Sequence, residues 1–118
     1  MQRIMCKSKI KNVIISEKNM RYDGSIGIDK ALIKAADLVP GEQVHVLNMM
    51  NGERLITYVI EEAPDSGKIA LYGPAARLGE PGDEVVIISY CNLDDAKCRD
   101  HKMRVVALEK NNKYASGK

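Results

Sequence analysis

A glycine followed directly by a serine, Gly24-Ser25, is the part of this sequence with the most specific chemical potential. The pair ends the segment Tyr22-Asp23-Gly24-Ser25, whose Asp and Gly are typical of a turn, and an ordinary turn is its plainest interpretation. In a bent and strained backbone, however, the serine hydroxyl can attack the preceding carbonyl carbon, because glycine has no side chain to block the approach. The ester that results can break by β-elimination, and hydrolysis then leaves a pyruvoyl group in place of Ser25.

A second group of reactive side chains follows Asn51-Gly52, a strong hairpin signal. The plain interpretation is a hairpin with a polar edge. Arg54 could instead bind a carboxylate through two parallel hydrogen bonds. Thr57 and Tyr58 are neighbours and point to opposite faces of an ideal strand. One site can therefore use both residues only at the edge of a barrel or at a boundary between subunits.

Length and composition predict one domain over residues 1–118 with an aliphatic core. The chain is 45% hydrophobic and contains no Phe and no Trp, so the core must be built from Ile, Val, Leu, Met and Ala. The net charge is +2 and the basic residues are dispersed, which argues against a nucleic-acid partner. We find no apolar run of signal-peptide length at the start, and the longest run, 85–88, is too short to span a bilayer.

The cysteines and histidines show no ligand spacing. Cys6, Cys91 and Cys98 are odd in number and form no CxxC pair, and His45 and His101 are isolated from any metal-binding pattern. We therefore expect no disulfide framework and no metal. Reduced thiols and the lack of a membrane segment together predict a cytoplasmic protein.

Short stretches of strand-forming residues alternate with turn signals along the chain. Asp29 is expected to cap the first helix, and the residues from Lys110 onward are expected to be loose. The pattern predicts a mainly β fold, a small closed or nearly closed barrel of seven or eight strands with two or three short helices. Strands are predicted over 11–16, 25–28, 43–47, 54–61, 68–72, 84–90 and 103–108, and short helices over 30–36, 73–77 and 94–100.

The two reactive clusters, taken with other motifs, resemble the aspartate 1-decarboxylase family of pantothenate biosynthesis. The resemblance runs from about Met1 to Leu108. So many motifs at matching separations are not expected by chance. In chain order they are Lys9 in Lys-Ser-Lys-Ile, Tyr22-x-Gly24-Ser25-x-x-Ile28-Asp29, Asn51-Gly52-x-Arg54-x-x-Thr57-Tyr58, Gly73-x-Ala75-Ala76-Arg77 and Gly82-Asp83-x-Val85-x-Ile87.

The resemblance implies a double-psi β-barrel that assembles as a homotetramer with active sites between subunits. It implies self-cleavage into a β chain, residues 1–24, and an α chain, residues 25–118, whose pyruvoyl group derives from Ser25. The amine of L-aspartate would form a Schiff base with this group, and β-alanine would follow from loss of CO2, without metal or pyridoxal phosphate. Whether a maturation factor assists the cleavage stays open.

The resemblance also implies roles for matching residues. Arg54 would bind a substrate carboxylate, with Lys9 adding positive charge beside it. Tyr58 would be catalytic together with the group from Ser25, as the proton donor after decarboxylation. Thr57 would contact the substrate and stabilise the oxyanion formed when Ser25 attacks Gly24. Backbone atoms would line the pocket at Gly73, Ala75 and Ala76.

Three positions depart from the family's usual residues. Lys11 stands where a histidine is frequent, Pro74 replaces a frequent alanine, and Tyr72 replaces an asparagine that lies near the reacting groups. The larger Tyr72 could crowd the pocket. The first hypothesis is therefore an active, self-processing decarboxylase. The second is a relative that processes slowly or takes another amino acid, and the third is an unprocessed barrel that serves as a binding module.

Overall fold

Eight strands form one mixed sheet in the computed structural model, which describes residues 1–114. They pair in the order β2-β6-β3-β5-β4-β7-β1-β8; the pairs β1–β8, β2–β6 and β3–β5 are parallel and the other four antiparallel. The mainly β fold is thus confirmed, and the mixed sheet is consistent with a double-psi β-barrel. The strands are β1 (Gln2–Ile14), β2 (Glu17–Asn19), β3 (Ser25–Asp29), β4 (Gln43–Asn48), β5 (Arg54–Glu62), β6 (Ile69–Tyr72), β7 (Glu84–Asp94) and β8 (Arg104–Ala107).

The helices are short and connect the strands. They are α1 (Lys30–Ala35), α2 (Asp95–Cys98) and two 3₁₀ segments, Gly73–Leu78 and Lys110–Asn112. Asp29 caps α1 as predicted, because its Oδ1 accepts a hydrogen bond from the amide of Ala31 at 2.8 Å. Within residues 1–114, every helix is too short or too polar to cross a membrane.

The core is aliphatic, as the composition predicts. Its side chains alternate with outward-facing ones along β4 and β7, so one face of each strand is buried and the other is partly open. Burial of these branched residues is the main source of stability. The largest fully buried side chains are Ile10, Val13, Ile15, Ile26, Ile28, Leu32, Val44, Val46, Val59, Ile69, Leu71 and Ile87.

The first strand is longer than the sequence predicts. The strand predicted over 11–16 is the end of β1, which begins at Gln2 and pairs with β7 as far as Asp94. Most of the added residues are exposed or half-buried, and therefore they carry little apolar periodicity. The short β2 was not predicted, because its three residues are polar; parallel pairing with β6 holds them in the sheet.

The end of the described chain is anchored rather than loose. Asn112 is buried; its Oδ1 accepts from the amide of Ile14 at 2.8 Å, and its Nδ2 donates to the carbonyls of Ile14 and Gly67 at 2.7 and 2.9 Å. The prediction of a loose segment from Lys110 is therefore wrong for 110–112. The side chain of Asn112 makes hydrogen bonds to the backbone of Ile14 and Gly67 that fix this segment against the sheet. Residues 115–118 lie outside the described part of the chain.

Candidate active site

Ser25 adopts a backbone conformation that L-amino acids rarely take. Its φ is +112°, and that of the preceding Gly24 is +136°. A non-glycine residue in this region costs on the order of 1–3 kcal/mol and persists only where its surroundings impose it. The residue is 2% exposed, so the strained serine is also almost completely enclosed. The strain that the sequence argument requires is present at the Gly24–Ser25 link.

The start of the 3₁₀ helix 73–78 packs directly against this link. Gly73 has a φ of +62°, and a Cβ there would lie 2.5 Å from the carbonyl oxygen of Tyr22 and 2.6 Å from the amide nitrogen of Gly24. Only glycine fits such a close approach. Ser25 itself is the first residue of β3 and pairs with Tyr72 of β6. The backbone on both sides of the link is thus fixed by residues 72 and 73.

A cavity of about 400 Å³ opens beside Ser25. Pairing of β3 with β5 begins at Ile26 and Val59, and the part of β5 that precedes Val59 pairs with β4 on its other side. This earlier part of β5 therefore presents an edge to the cavity, and both Thr57 and Tyr58 reach it. A strand edge of this kind is one of the two arrangements in which one site can use both Thr57 and Tyr58; the other is a boundary between subunits. The lining residues are Asp23, Gly24, Ser25, Leu55, Ile56, Thr57, Tyr58, Pro74, Ala75 and Leu78.

The other charged residues predicted for the site lie on the outward face of the sheet. Lys9 of β1 pairs with Ile88 of β7, Ile88 pairs with His45 of β4, and His45 pairs with Ile56 of β5. Directly paired residues point to the same face of a sheet. We call the face that carries Lys9, Ile88, His45 and Ile56 the outer face. The backbones of Lys9 and His45 are two strand spacings apart, roughly 10 Å.

Arg54 and Tyr58 share the outer face, because each lies two residues from Ile56 along β5. The guanidinium of Arg54 donates from Nη1 to Nδ1 of His45 at 3.2 Å. Arginine can only donate, so Nδ1 of His45 is the acceptor in this hydrogen bond. The ring of His45 also packs edge-on against Tyr90, with centroids 4.8 Å apart. These contacts hold the Arg54 side chain over the sheet.

The side chain of Tyr72 makes two contacts beside the strained link. Its hydroxyl donates to Oε2 of Glu62 at 2.6 Å, and its ring lies edge-to-face with that of Tyr22 at 4.7 Å. Burial, together with the neighbouring Glu62 carboxylate, raises the pKa of Tyr72 to about 12, so the phenol stays protonated. Lys68 holds the same carboxylate at 3.3 Å. Tyr72 is not among the residues that line the cavity, and the crowding expected from its size is not found there.

Comparison with known proteins decides the family. The model of the aspartate decarboxylase family matches residues 1–115. The chain belongs to this family. It is 48% identical over 113 residues to an aspartate 1-decarboxylase of Thermoanaerobacter pseudethanolicus, covering 96% of this chain and 97% of that protein. A protein of the same name from Syntrophobacter fumaroxidans is 44% identical over 116 residues, covering 98% of this chain and 94% of that protein. Another from Mycolicibacterium smegmatis is 45% identical over 112 residues, covering 95% of this chain and 82% of that protein.

The fold brings some of the predicted site residues together and leaves others apart. Lys9 and Arg54 lie on the outer face, outside the lining of the cavity. Gly73 touches the backbone of Gly24, and Ala76 is fully buried in the aliphatic core. Their roles stay predictions. The residues that share the cavity are Gly24, Ser25, Thr57, Tyr58 and Ala75.

Two residues with contacts near the candidate site were missed from the sequence: His45, which bonds Arg54, and Glu62, which bonds Tyr72. His45 could have been found from the hairpin, since a turn at Asn51-Gly52 places it opposite Ile56 and diagonal to Arg54. Glu62 carries no such local signal. Within residues 1–114, no group of three or more His, Cys, Asp or Glu side chains is placed to hold a metal.

Proposed function

We propose that the chain is an aspartate 1-decarboxylase that cleaves itself between Gly24 and Ser25 and then converts L-aspartate to β-alanine and CO2. Membership of the family supports the substrate and the reaction. The single observation that carries the cleavage is the φ of +112° at the enclosed Ser25, directly beside a cavity. A serine at an ordinary turn has no need of this conformation.

The cleavage follows from the chain's own groups. Ser25 Oγ attacks the carbonyl carbon of Gly24, the C–O bond forms and the amide C–N bond breaks, which leaves an ester and a free amine. Thr57 lines the same cavity, and its hydroxyl donates to the oxyanion of this step. β-Elimination expels the carboxylate of Gly24, and hydrolysis of the remaining dehydroalanine releases ammonia. The products are the β chain, 1–24, and the α chain, 25–118, which begins with a pyruvoyl group.

The residues around position 25 fit such a group and its substrate. A pyruvoyl group supplies a ketone that condenses with an amine and accepts the electrons released when a carboxylate leaves as CO2. Arg54, held by His45, binds a carboxylate of aspartate, and Lys9 adds positive charge. Tyr58 lines the cavity and supplies the proton that replaces the lost carboxylate. Ala75 lines the wall of the pocket, and Gly73 and Ala76 belong to the same 3₁₀ segment that forms this wall.

A homotetramer with active sites between subunits completes the proposal. Tyr58 is 43% exposed and Ile56 59% exposed in the single chain, although both line the cavity. A proton donor works best where water is excluded, so a second subunit over the outer face would enclose the site. The three cysteines are unpaired, which supports a cytoplasmic location.

Intact-mass spectrometry of the purified protein tests the cleavage. We expect two fragments that meet at positions 24 and 25, the larger one blocked to N-terminal sequencing. CO2 release from aspartate, compared with release from glutamate, then tests the substrate. A single uncut species after prolonged incubation would instead favour the unprocessed binding module, and cleavage with release from glutamate alone would favour a relative with another substrate.

A further inference from the structure

The segment Tyr72-Gly73-Pro74 lies across the link that breaks in the proposed function, and we call it the clamp. We infer that Tyr72, anchored by Glu62, is a positioning residue for self-cleavage, because it holds the chain on both sides of the Gly24–Ser25 bond. This inference rests on the proposed cleavage. Neither the lining of the cavity nor the family comparison gives Tyr72 this role.

On the downstream side, the clamp acts through its backbone. Ser25 pairs with Tyr72 at the first position of the β3–β6 ladder, and the pairing continues through Ile26 with Leu71. The α-carbon of Ser25 is therefore fixed relative to β6. Because the strand begins at the strained residue itself, the ladder offers Ser25 no freedom to relax its φ toward the usual negative values.

On the upstream side, the clamp acts through a ring and a close backbone contact. The ring of Tyr72 is almost fully buried, whereas that of Tyr22 is largely exposed and rests edge-to-face on it. Gly73 meets the backbone of Tyr22 and Gly24 at distances that leave no room for a side chain. Pro74 adds a Cδ atom 4.0 Å from the position of a Cβ on Gly24. Tyr22 and Gly24 are thus packed against residues 72–74.

An ionic network fixes the orientation of the Tyr72 ring. Its hydroxyl donates to Glu62, whose carboxylate lies where a side chain at Gly27 would otherwise stand. Lys68 binds Glu62 at 3.3 Å and Glu17 of β2 at 3.1 Å. The network therefore links β2, β6 and β5 around the phenol. Glu62 is enclosed by these partners, so the ring cannot turn without breaking a charge-assisted hydrogen bond.

The consequence is a dependence of cleavage on one hydroxyl group that takes no part in the reaction. Without the bond to Glu62, the ring of Tyr72 can shift, Tyr22 follows it, and the carbonyl of Gly24 leaves its place before Ser25 Oγ. Displacement of reacting atoms by a fraction of an ångström is enough to slow a step strongly. A purely structural role would instead lower the stability of the fold and the cleavage rate together.

The test compares variants as freshly purified precursors by following intact mass over time. We expect Tyr72→Phe and Glu62→Ala to cleave at least about tenfold more slowly than the wild-type chain. Glu62→Gln keeps an acceptor for the phenol and is expected to cleave at close to the wild-type rate. Tyr22→Phe keeps the ring pair and serves as the matched control.

A second measurement separates positioning from stability. In an uncleavable Ser25→Ala background, Tyr72→Phe is expected to leave the melting temperature nearly unchanged and to raise amide hydrogen exchange over residues 22–25. The inference would be overturned if Tyr72→Phe were cleaved at the wild-type rate, or if its slower cleavage only paralleled a lower melting temperature. Unchanged amide hydrogen exchange over residues 22–25 would overturn it as well. An uncut wild-type chain would overturn the proposed function instead, and the exchange data would still decide whether Tyr72 holds the segment.

Discussion

Ser25 combines a reactive hydroxyl with a φ that only glycine adopts without strain, and substitutions there can separate the two properties. Ser25→Ala and Ser25→Gly both remove the nucleophile, so neither chain should be cut. Alanine keeps the strain, whereas glycine relieves it. We expect Ser25→Gly to be more stable than Ser25→Ala by about 1 kcal/mol. Glycine relieves about 1–3 kcal/mol of backbone strain, and this gain exceeds its entropic cost on folding.

Urea denaturation of the two uncut chains measures this difference directly. Gly27, whose φ is not in the strained region, provides the opposite comparison: Gly27→Ala should destabilise the chain, because its Cβ would meet the Glu62 carboxylate. Equal stability of the alanine and glycine variants at position 25 would show that the backbone there is not strained in solution.

His45 is the residue that holds Arg54, and it allows a second prediction at this scale. Removing the acceptor in His45→Ala frees the guanidinium of Arg54 from its 3.2 Å hydrogen bond. The carboxylate of the substrate then has to order the side chain itself, and KM for aspartate should rise about threefold or more with little change in kcat. Steady-state kinetics measures both. His45→Gln, which offers an amide oxygen to Arg54, should recover part of the loss; a fall in kcat at constant KM would contradict a positioning role.

Four residues of the cavity were predicted from the sequence, whereas His45 and Glu62 were not, and only His45 carried a local signal, in the Asn51-Gly52 hairpin. Gly24, Ser25, Thr57 and Tyr58 were predicted from residue type and family resemblance, and all four line one cavity. His45 and Glu62 act through pairs set by strand register and by a side chain that crosses between strands. The contact of Glu62 with Tyr72 depends on the three-dimensional order β6-β3-β5, which periodicity along the chain does not encode.

Among the elements, the end of the 3₁₀ helix 73–78 is tied to the last residue of β4, Asn48, which also bonds Asp83, the residue just before β7. Asn48 donates from Nδ2 to the carbonyl of Leu78 at 3.2 Å and to Oδ2 of Asp83 at 2.9 Å, and Asp83 also accepts from the amide of Glu80. Leu78 lines the cavity, so these bonds fix one of its walls. The hydrogen bond from Asn48, followed by that from Glu80, lowers the pKa of Asp83.

A pH dependence follows from that lowered pKa. Since the carboxyl group is more acidic in the folded chain than in the unfolded one, its ionised form stabilises the fold. This contribution is fully present above the unfolded pKa of about 4 and is lost as pH falls through the lower folded value. Asp83→Asn keeps an acceptor without the charge. We expect the melting temperature of the wild-type chain to fall more steeply than that of Asp83→Asn below about pH 4; parallel curves would contradict it.

Element boundaries show where sequence patterns lose their information. The strand β4, which has a buried alternating face, and the capped helix α1 were located from the sequence to within one residue at each end. The strand β7 was located at its start but continues four residues beyond its predicted end. The first half of β1 and the whole of β2 were missed, because they are polar and are held by partners far along the chain. Backbone pairing needs no apolar side chain, and therefore an edge or exposed strand leaves little trace in composition.

For the molecule as a whole, the position of Lys9 bears on the proposed assembly. Lys9 shares the outer face with Arg54 and Tyr58 but does not line the cavity beside Ser25 of its own chain. If subunits meet on this face, the Lys9 of one subunit serves the Ser25 of another. In a symmetric oligomer with that arrangement, every active site contains residues from two chains.

Complementation between two inactive variants tests this arrangement. Ser25→Ala lacks the cleavable serine and Lys9→Ala lacks the charge for the substrate, so each should decarboxylate aspartate poorly when expressed alone. In co-expressed mixtures, about a quarter of the sites should combine an intact Ser25 with an intact Lys9 from different chains, and activity should recover to that extent. Light scattering checks that both variants assemble. If both assemble normally and the mixture gains nothing over Lys9→Ala alone, Lys9 and Ser25 act within one chain, and the outer face brings subunits together without sharing that lysine between them.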